Sequence, residues 1–87
     1  MECIHVAGRK FVITAYAARR LARRDISIAE LRAVLGAPTS LARSARDPHR
    51  LVCRRTVDGR PLAVVIEEIP GIEQWDVVTA WEQEHHD

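Results

Sequence analysis

The sequence has no CxxC and no paired Cys/His spacing; Cys3 and Cys53 are its only cysteines. Structural zinc sites draw their ligands from close pairs, so this argues against one. A disulfide between the two is one option, and two reduced strand thiols are the expectation for a chain kept in a reducing compartment. No apolar run of about twenty residues and no signal-peptide pattern occurs, which sets the expectation of a cytoplasmic protein with no membrane partner. No GxGxxG, Walker A, GxSxG or HExxH pattern is present, so dinucleotide folds, P-loop enzymes, serine hydrolases and zincins lose support. Aromatic residues make up only 5% and no repeat or low-complexity stretch appears. No cofactor is expected.

With 87 residues the chain has room for one domain and a modest core. We read residues 1–87 as that domain, with 82–87 as a frayed polar tail. Apolar residues at 47% and charged residues at 29% are ordinary for a globular chain. The formal net charge of +1 hides an asymmetry. All thirteen basic residues and five acidic ones lie in residues 1–60, whereas 61–87 carry seven acidic residues and no basic one. A basic first part suits a polyanionic partner, unless the acidic part folds against it and cancels it.

The most informative stretch is Thr14 to Asp25, TAYAARRLARRD. At about 100° per residue Thr14, Ala17, Ala18, Leu21 and Ala22 share one side and Tyr16, Arg19, Arg20, Arg23 and Arg24 the other. Thr14 fits an N-cap. Four arginines without an interleaved acid forgo the i,i+4 pairing that a merely solvated face would use. Their planar forks suit phosphate.

Before this helix, residues 1–13 read as a short hairpin or one bent strand turning at Gly8. After it, Ser27 and Glu30 form a capping-box pattern, and a second helix stops at Gly36 with Pro38 beyond. We expect the two helices to pack as a pair. From Thr39 the pattern changes to strands. Thr39 to Arg43 is weak; Arg50 to Val57 and Pro61 to Ile69 flank Asp58-Gly59, a strong hairpin signal; Ile72 to Trp81 is the last. Leu62 to Ile66 is continuously apolar, as in a strand covered on both faces. Strict alternation would place Trp75, Val77, Thr79 and Trp81 on one side of the last strand. The expected class is α+β: an N-terminal strand and helix pair packed on an antiparallel meander of three to four strands.

Arg43, Arg46 and Arg50, with Arg54 and Arg55, form a second basic strip. Arg54 and Arg55 must point to opposite faces, and the sequence does not say which one joins the helix arginines. A nucleic-acid groove between the first helix and this strip is the functional expectation, with exposed loop charges as the alternative. His49, in a turn among arginines, is a candidate proton acceptor. Glu67 and Glu68 are expected to bridge to arginines, and His85 and His86 form a tail pair with no metal role.

YAARRLARRDI (Tyr16 to Ile26), followed by SIAELRAVL, Pro38 and strands ending in VVT, resembles a family of small bacterial proteins. Their pattern is His-Ala-x-x-Arg-Met-x-x-Arg-Gly-Ile, then a second helix and a strand meander. These resemble the RelE/ParE-like toxin superfamily, near the BrnT-type toxins, over about residues 11 to 80. The matching positions are Ala17, Arg20, Leu21, Arg24 and Ile26; Tyr16 stands where the pattern has histidine and Asp25 where it has glycine.

The resemblance implies the toxin of a type II toxin-antitoxin pair, a metal-independent endoribonuclease acting on mRNA, with RNA and a cognate antitoxin as partners. In that reading Arg20 and Arg24 clamp the phosphate, Tyr16 or His49 moves protons, and Arg19, Arg23, Arg43, Arg46, Arg54 and Arg55 bind RNA. The alternative is a non-catalytic protein of the same fold that binds an antitoxin or gyrase. A homodimer through the Trp75 to Trp81 strand is a third expectation.

Overall fold

The computed structural model describes residues 2–83. Two strands, β1 (Glu2–Val6) and β2 (Arg9–Ile13), form a hairpin; helices α1 (Ala15–Arg23) and α2 (Ile28–Gly36) follow; β3 (Ser40–Arg43), β4 (Arg50–Val57), β5 (Arg60–Ile69) and β6 (Gln74–Glu82) complete the domain. Both two-residue turns, Ala7-Gly8 and Asp58-Gly59, have positive φ at each position, the geometry whose twist matches an antiparallel hairpin.

The α+β class holds, but the sheet is larger than the meander expected. It has six strands in the order β1-β2-β6-β5-β4-β3. Strand β2 lies parallel to β6, with Phe11 beside Trp75 and Ile13 beside Val77; the remaining pairs are antiparallel. The N-terminal hairpin therefore extends the meander instead of standing apart from it. That pairing joins residues far apart in the chain, and no local pattern encodes it.

The helices do not form the expected pair. Helix α1 packs on β6, and α2 packs on β4, β5 and β1. Each helix meets the sheet with its own apolar residues: Ala17 and Leu21 from α1, and Leu31, Val34 and Leu35 from α2, join Ile4, Phe11, Ile13, Leu62, Val64, Ile66, Val77 and Ala80 in one core. Only one face of β5 belongs to that core. Ala63 and Val65 are buried on the other face, where Ala63 sits between Arg54 and Trp81 and Val65 between Val52 and Thr79. Neighbouring side chains of the sheet shield them, without a second helical layer.

The alternation expected along β6 is broken. The register slips between Val65 and Ile66, so that Val65 faces Thr79 and Ile66 faces Val77, which leaves Val78 unopposed as a bulge. Val77 and Ala80, three residues apart, consequently both enter the core. Strand pairing also runs to Glu82, so the tail does not fray there; positions 84–87, with His85 and His86, lie outside the described residues. Cys3 is exposed and Cys53 buried, both as free thiols, and burial pushes the Cys53 thiol up. Among the described residues no helix is long and apolar enough to cross a membrane.

Candidate nucleic-acid interface

Helix α1 starts as its sequence indicates. Thr14 is extended, and its hydroxyl accepts from the Ala17 N–H at 3.1 Å while donating to the Val77 carbonyl. One threonine thus caps the helix and fastens its first turn to β6. The far end closes with a left-handed residue. Asp25, at φ 55, lets its own N–H reach the Ala22 carbonyl and the Ile26 N–H reach the Leu21 carbonyl at 2.9 Å. Buried Ile26 then joins buried Leu21 in the core. This is the Schellman arrangement, and its left-handed position is where glycine is most at ease. It supplies a physical reason for the Arg-Gly-Ile of the resembling pattern, with Asp25 in the glycine position here.

Between those ends, Tyr16, Arg19, Arg20 and Arg23 line a shallow cavity of about 160 Å³ on one side of α1. Their spacing of three, one and three puts them in a single stripe. Tyr16 is 53% exposed, and the Arg20 guanidinium lies over its ring, 4.7 Å from the centroid. Such a stack holds a cation in place at an exposed site for about 0.5–1 kcal/mol. Among the described residues, the ion pairs engage Arg50 with Asp47 and Glu67, and Arg60 with Glu30 and Glu82. Among the described residues, the acidic C-terminal part thus gives Glu67 to Arg50 and Glu82 to Arg60 and supplies no carboxylate to the α1 stripe.

Arg24 does not join that stripe. Its Nη1 donates to the Ala80 carbonyl at 2.7 Å and to Thr79 Oγ1 at 3.3 Å, tying the end of the helix to β6. The side facing the sheet consequently runs through Thr14, Ala17, Leu21 and Arg24, while Ala18 and Ala22, expected to pack, are exposed. The helical spacing sets Arg24 with the outward arginines; in the fold the Ala80 carbonyl of β6 accepts from it instead.

The strand arginines are dispersed. Arg55 Nη1 donates to the Ala33 and Ala37 carbonyls, each at 3.2 Å, and so satisfies the C-terminal end of α2. Arg54 takes the opposite face of β4, and its carbonyl accepts from both the N–H and the hydroxyl of Thr39. Arg43 donates to the Pro48 carbonyl and Arg46 is exposed in the β3–β4 turn. His49 lies in that turn with its N–H held by Asp47 Oδ1 at 3.0 Å and its carbonyl by the Glu68 N–H at 2.9 Å. Its imidazole is exposed and bonds to no described residue. The structure does not bring His49 to Tyr16: the turn abuts β5, whereas α1 packs on β6.

Arg60, which spacing along the chain does not single out, is the best-connected arginine among the described residues. It donates to the Arg24 and Asp25 carbonyls at 2.8 Å each and pairs with Glu30 at 3.0 Å and Glu82 at 2.5 Å. Glu30 meanwhile closes the capping box of α2 by accepting from the Ser27 N–H. The Ser27 N–H first, and Arg60 next, hold the Glu30 carboxyl below the ordinary glutamate range. The place of Arg60 directly after Asp58-Gly59 was the available signal: a residue leaving a tight hairpin is rigidly aimed. No group of three or more His, Cys, Asp or Glu side chains gathers to hold a metal among the described residues.

A family model described as Domain of unknown function (DUF4258) matches residues 13–82, the span from the end of β2 to the end of β6. No curated protein and no solved structure matches the chain.

Proposed function

The chain belongs to the DUF4258 family, and we propose that it works as the toxin of a bacterial type II toxin-antitoxin pair, a metal-independent endoribonuclease of RelE/ParE-like type. The observation that carries this reading is the stripe Tyr16, Arg19, Arg20 and Arg23, cationic, open and free of ion pairs among the described residues. Guanidinium groups on a rigid helix bind successive phosphates, and an aromatic ring beside them accepts a stacked base. In the reaction, a ribose 2′-OH attacks the adjacent phosphorus and expels the 5′-oxygen of the next nucleotide, leaving a 2′,3′-cyclic phosphate. Arg19 and Arg23 hold the phosphate and offset the charge that develops on it. Tyr16 is the one group of the stripe that exchanges a proton in this chemistry.

A second reading, RNA or protein binding without cleavage, is favoured by a separate observation: His49 stands away from the stripe and no described carboxylate lines it. Incubating the purified chain with end-labelled RNA in the presence of a chelator separates the two. Cleavage to cyclic phosphate ends, lost in Tyr16→Phe while binding persists, supports the ribonuclease. Binding without cleavage supports the second reading, and neither binding nor cleavage would sink both for RNA.

A further inference from the structure

Away from the arginine stripe, a cleft of about 280 Å³ opens where the β1–β2 turn approaches the end of α2 and the sheet edge at β3. Phe11, Leu35 and Ile66 form its floor, with Val6 and Leu51 on its sides. Gly36 lies at its back, where a Cβ would meet Val6 Cγ1 at 3.4 Å, close to an ordinary contact distance. Leu41 stands at its lip, 58% exposed. Leu41 belongs to β3, an edge strand all of whose residues are exposed.

An edge strand presents every second N–H and C=O outward, ready to pair with another extended chain. Its side chains alternate between the cleft side, with Leu41, and the opposite side, with Ser40 and Ala42. An added strand would do the same, aiming alternate side chains into the cleft and the rest over the other face. The only charged residue lining the cleft, among the described residues, is Arg9. On the other face Ser40 alone separates Arg54 from the edge, and the Arg54 guanidinium bonds to no described residue. Both faces therefore ask for the same chain: apolar residues alternating with acidic ones.

A second copy of this protein is a poor fit for the edge. Its own β3 offers none of the acids that the edge calls for: residues 40–43 hold no acid, and Asp47 is the only one between residues 43 and 55.

We propose that the β3 edge and the adjoining cleft form a docking site for an extended acidic-apolar peptide segment of a partner protein, added to the sheet as a seventh strand beside Leu41. The site is separate from the α1 stripe and does not depend on the RNA reading.

The test uses the full chain and a short synthetic peptide alternating leucine with aspartate, with a lysine-for-aspartate version as control, followed by fluorescence anisotropy and amide exchange. The expected result is binding of the acidic peptide alone, protection of β3 amides, and at least about tenfold weakening in Leu41→Asp. Leu41 is exposed, so that variant keeps its fold, which an unchanged thermal melt confirms. Arg54→Ala weakens the acidic peptide less than Leu41→Asp does, and Arg19→Ala/Arg23→Ala leaves it unchanged. No peptide binding, binding that survives Leu41→Asp, binding lost only in the α1 variant, or self-association through β3 in sedimentation would each overturn the proposal.

Discussion

The two ends of the same short helix use arginine in opposite ways. Arg24, with Arg60 reaching in from β5, directs its donors at main-chain carbonyls: Ala80 for Arg24, and Arg24 and Asp25 for Arg60. Arg19, Arg20 and Arg23, within the same two turns, meet no carboxylate among the described residues and line an open hollow with Tyr16. A tethered arginine keeps its charge but has donors committed to a main-chain carbonyl, which fixes where its guanidinium points. A displayed arginine contributes little to folding and keeps its charge for a ligand. Counting arginines on a helix therefore overstates a binding face until the carbonyls within reach are known.

The sharpest way to break this division is Arg24→Ala. A charge-assisted bond to a main-chain carbonyl disappears and the Ala80 oxygen loses its arginine partner, so unfolding in urea should show a loss of about 1.5–3 kcal/mol, with RNA affinity almost unchanged. A large loss of affinity at full stability would return Arg24 to the clamp that the resemblance gives it.

Next in size is the acid response of the tethered end. The folded Glu30 carboxyl titrates below its ordinary value of 4.5. Its contribution is therefore complete above that value and is lost as pH falls through the lower folded one. Glu30→Gln should flatten the stability profile in that acidic window and leave it parallel to the parent at neutral pH, as thermal melts across pH would show.

Smaller still is Asp25→Gly. The position is left-handed and sits at the negative end of α1, where an aspartate is doubly misplaced. Glycine there should raise stability by about 0.5–1 kcal/mol, measured by the shift of the urea midpoint at constant slope.

Local signals carried much of the fold. Thr14 and the Ser27/Glu30 box specify helix starts through hydrogen bonds to residues three positions away, and Asp58-Gly59 specifies a hairpin through its own dihedrals, so each is written within a few residues. The docking of β2 beside β6, the Val78 bulge and the packing of each helix on the sheet depend on partners far along the chain. The candidate site divides along the same line. The stripe Tyr16, Arg19, Arg20 and Arg23 follows from helical spacing alone. The diversion of Arg24 and Arg55 to main-chain carbonyls, and the separation of His49 from α1, follow from tertiary packing that spacing does not encode.

The claim that the α1 stripe is an RNA-binding face is tested most directly by a salt titration of single-stranded RNA binding, comparing the parent chain with Arg19→Ala/Arg23→Ala. Both side chains are exposed, so stability should stay within about 0.5 kcal/mol. Affinity should fall at least about tenfold at moderate salt, and the slope of log affinity against log salt should shrink by roughly 0.7 for each phosphate no longer neutralised. An unchanged slope and affinity in a folded double variant would contradict an RNA-binding role for the stripe, because the two displayed arginines would then face no phosphate at all.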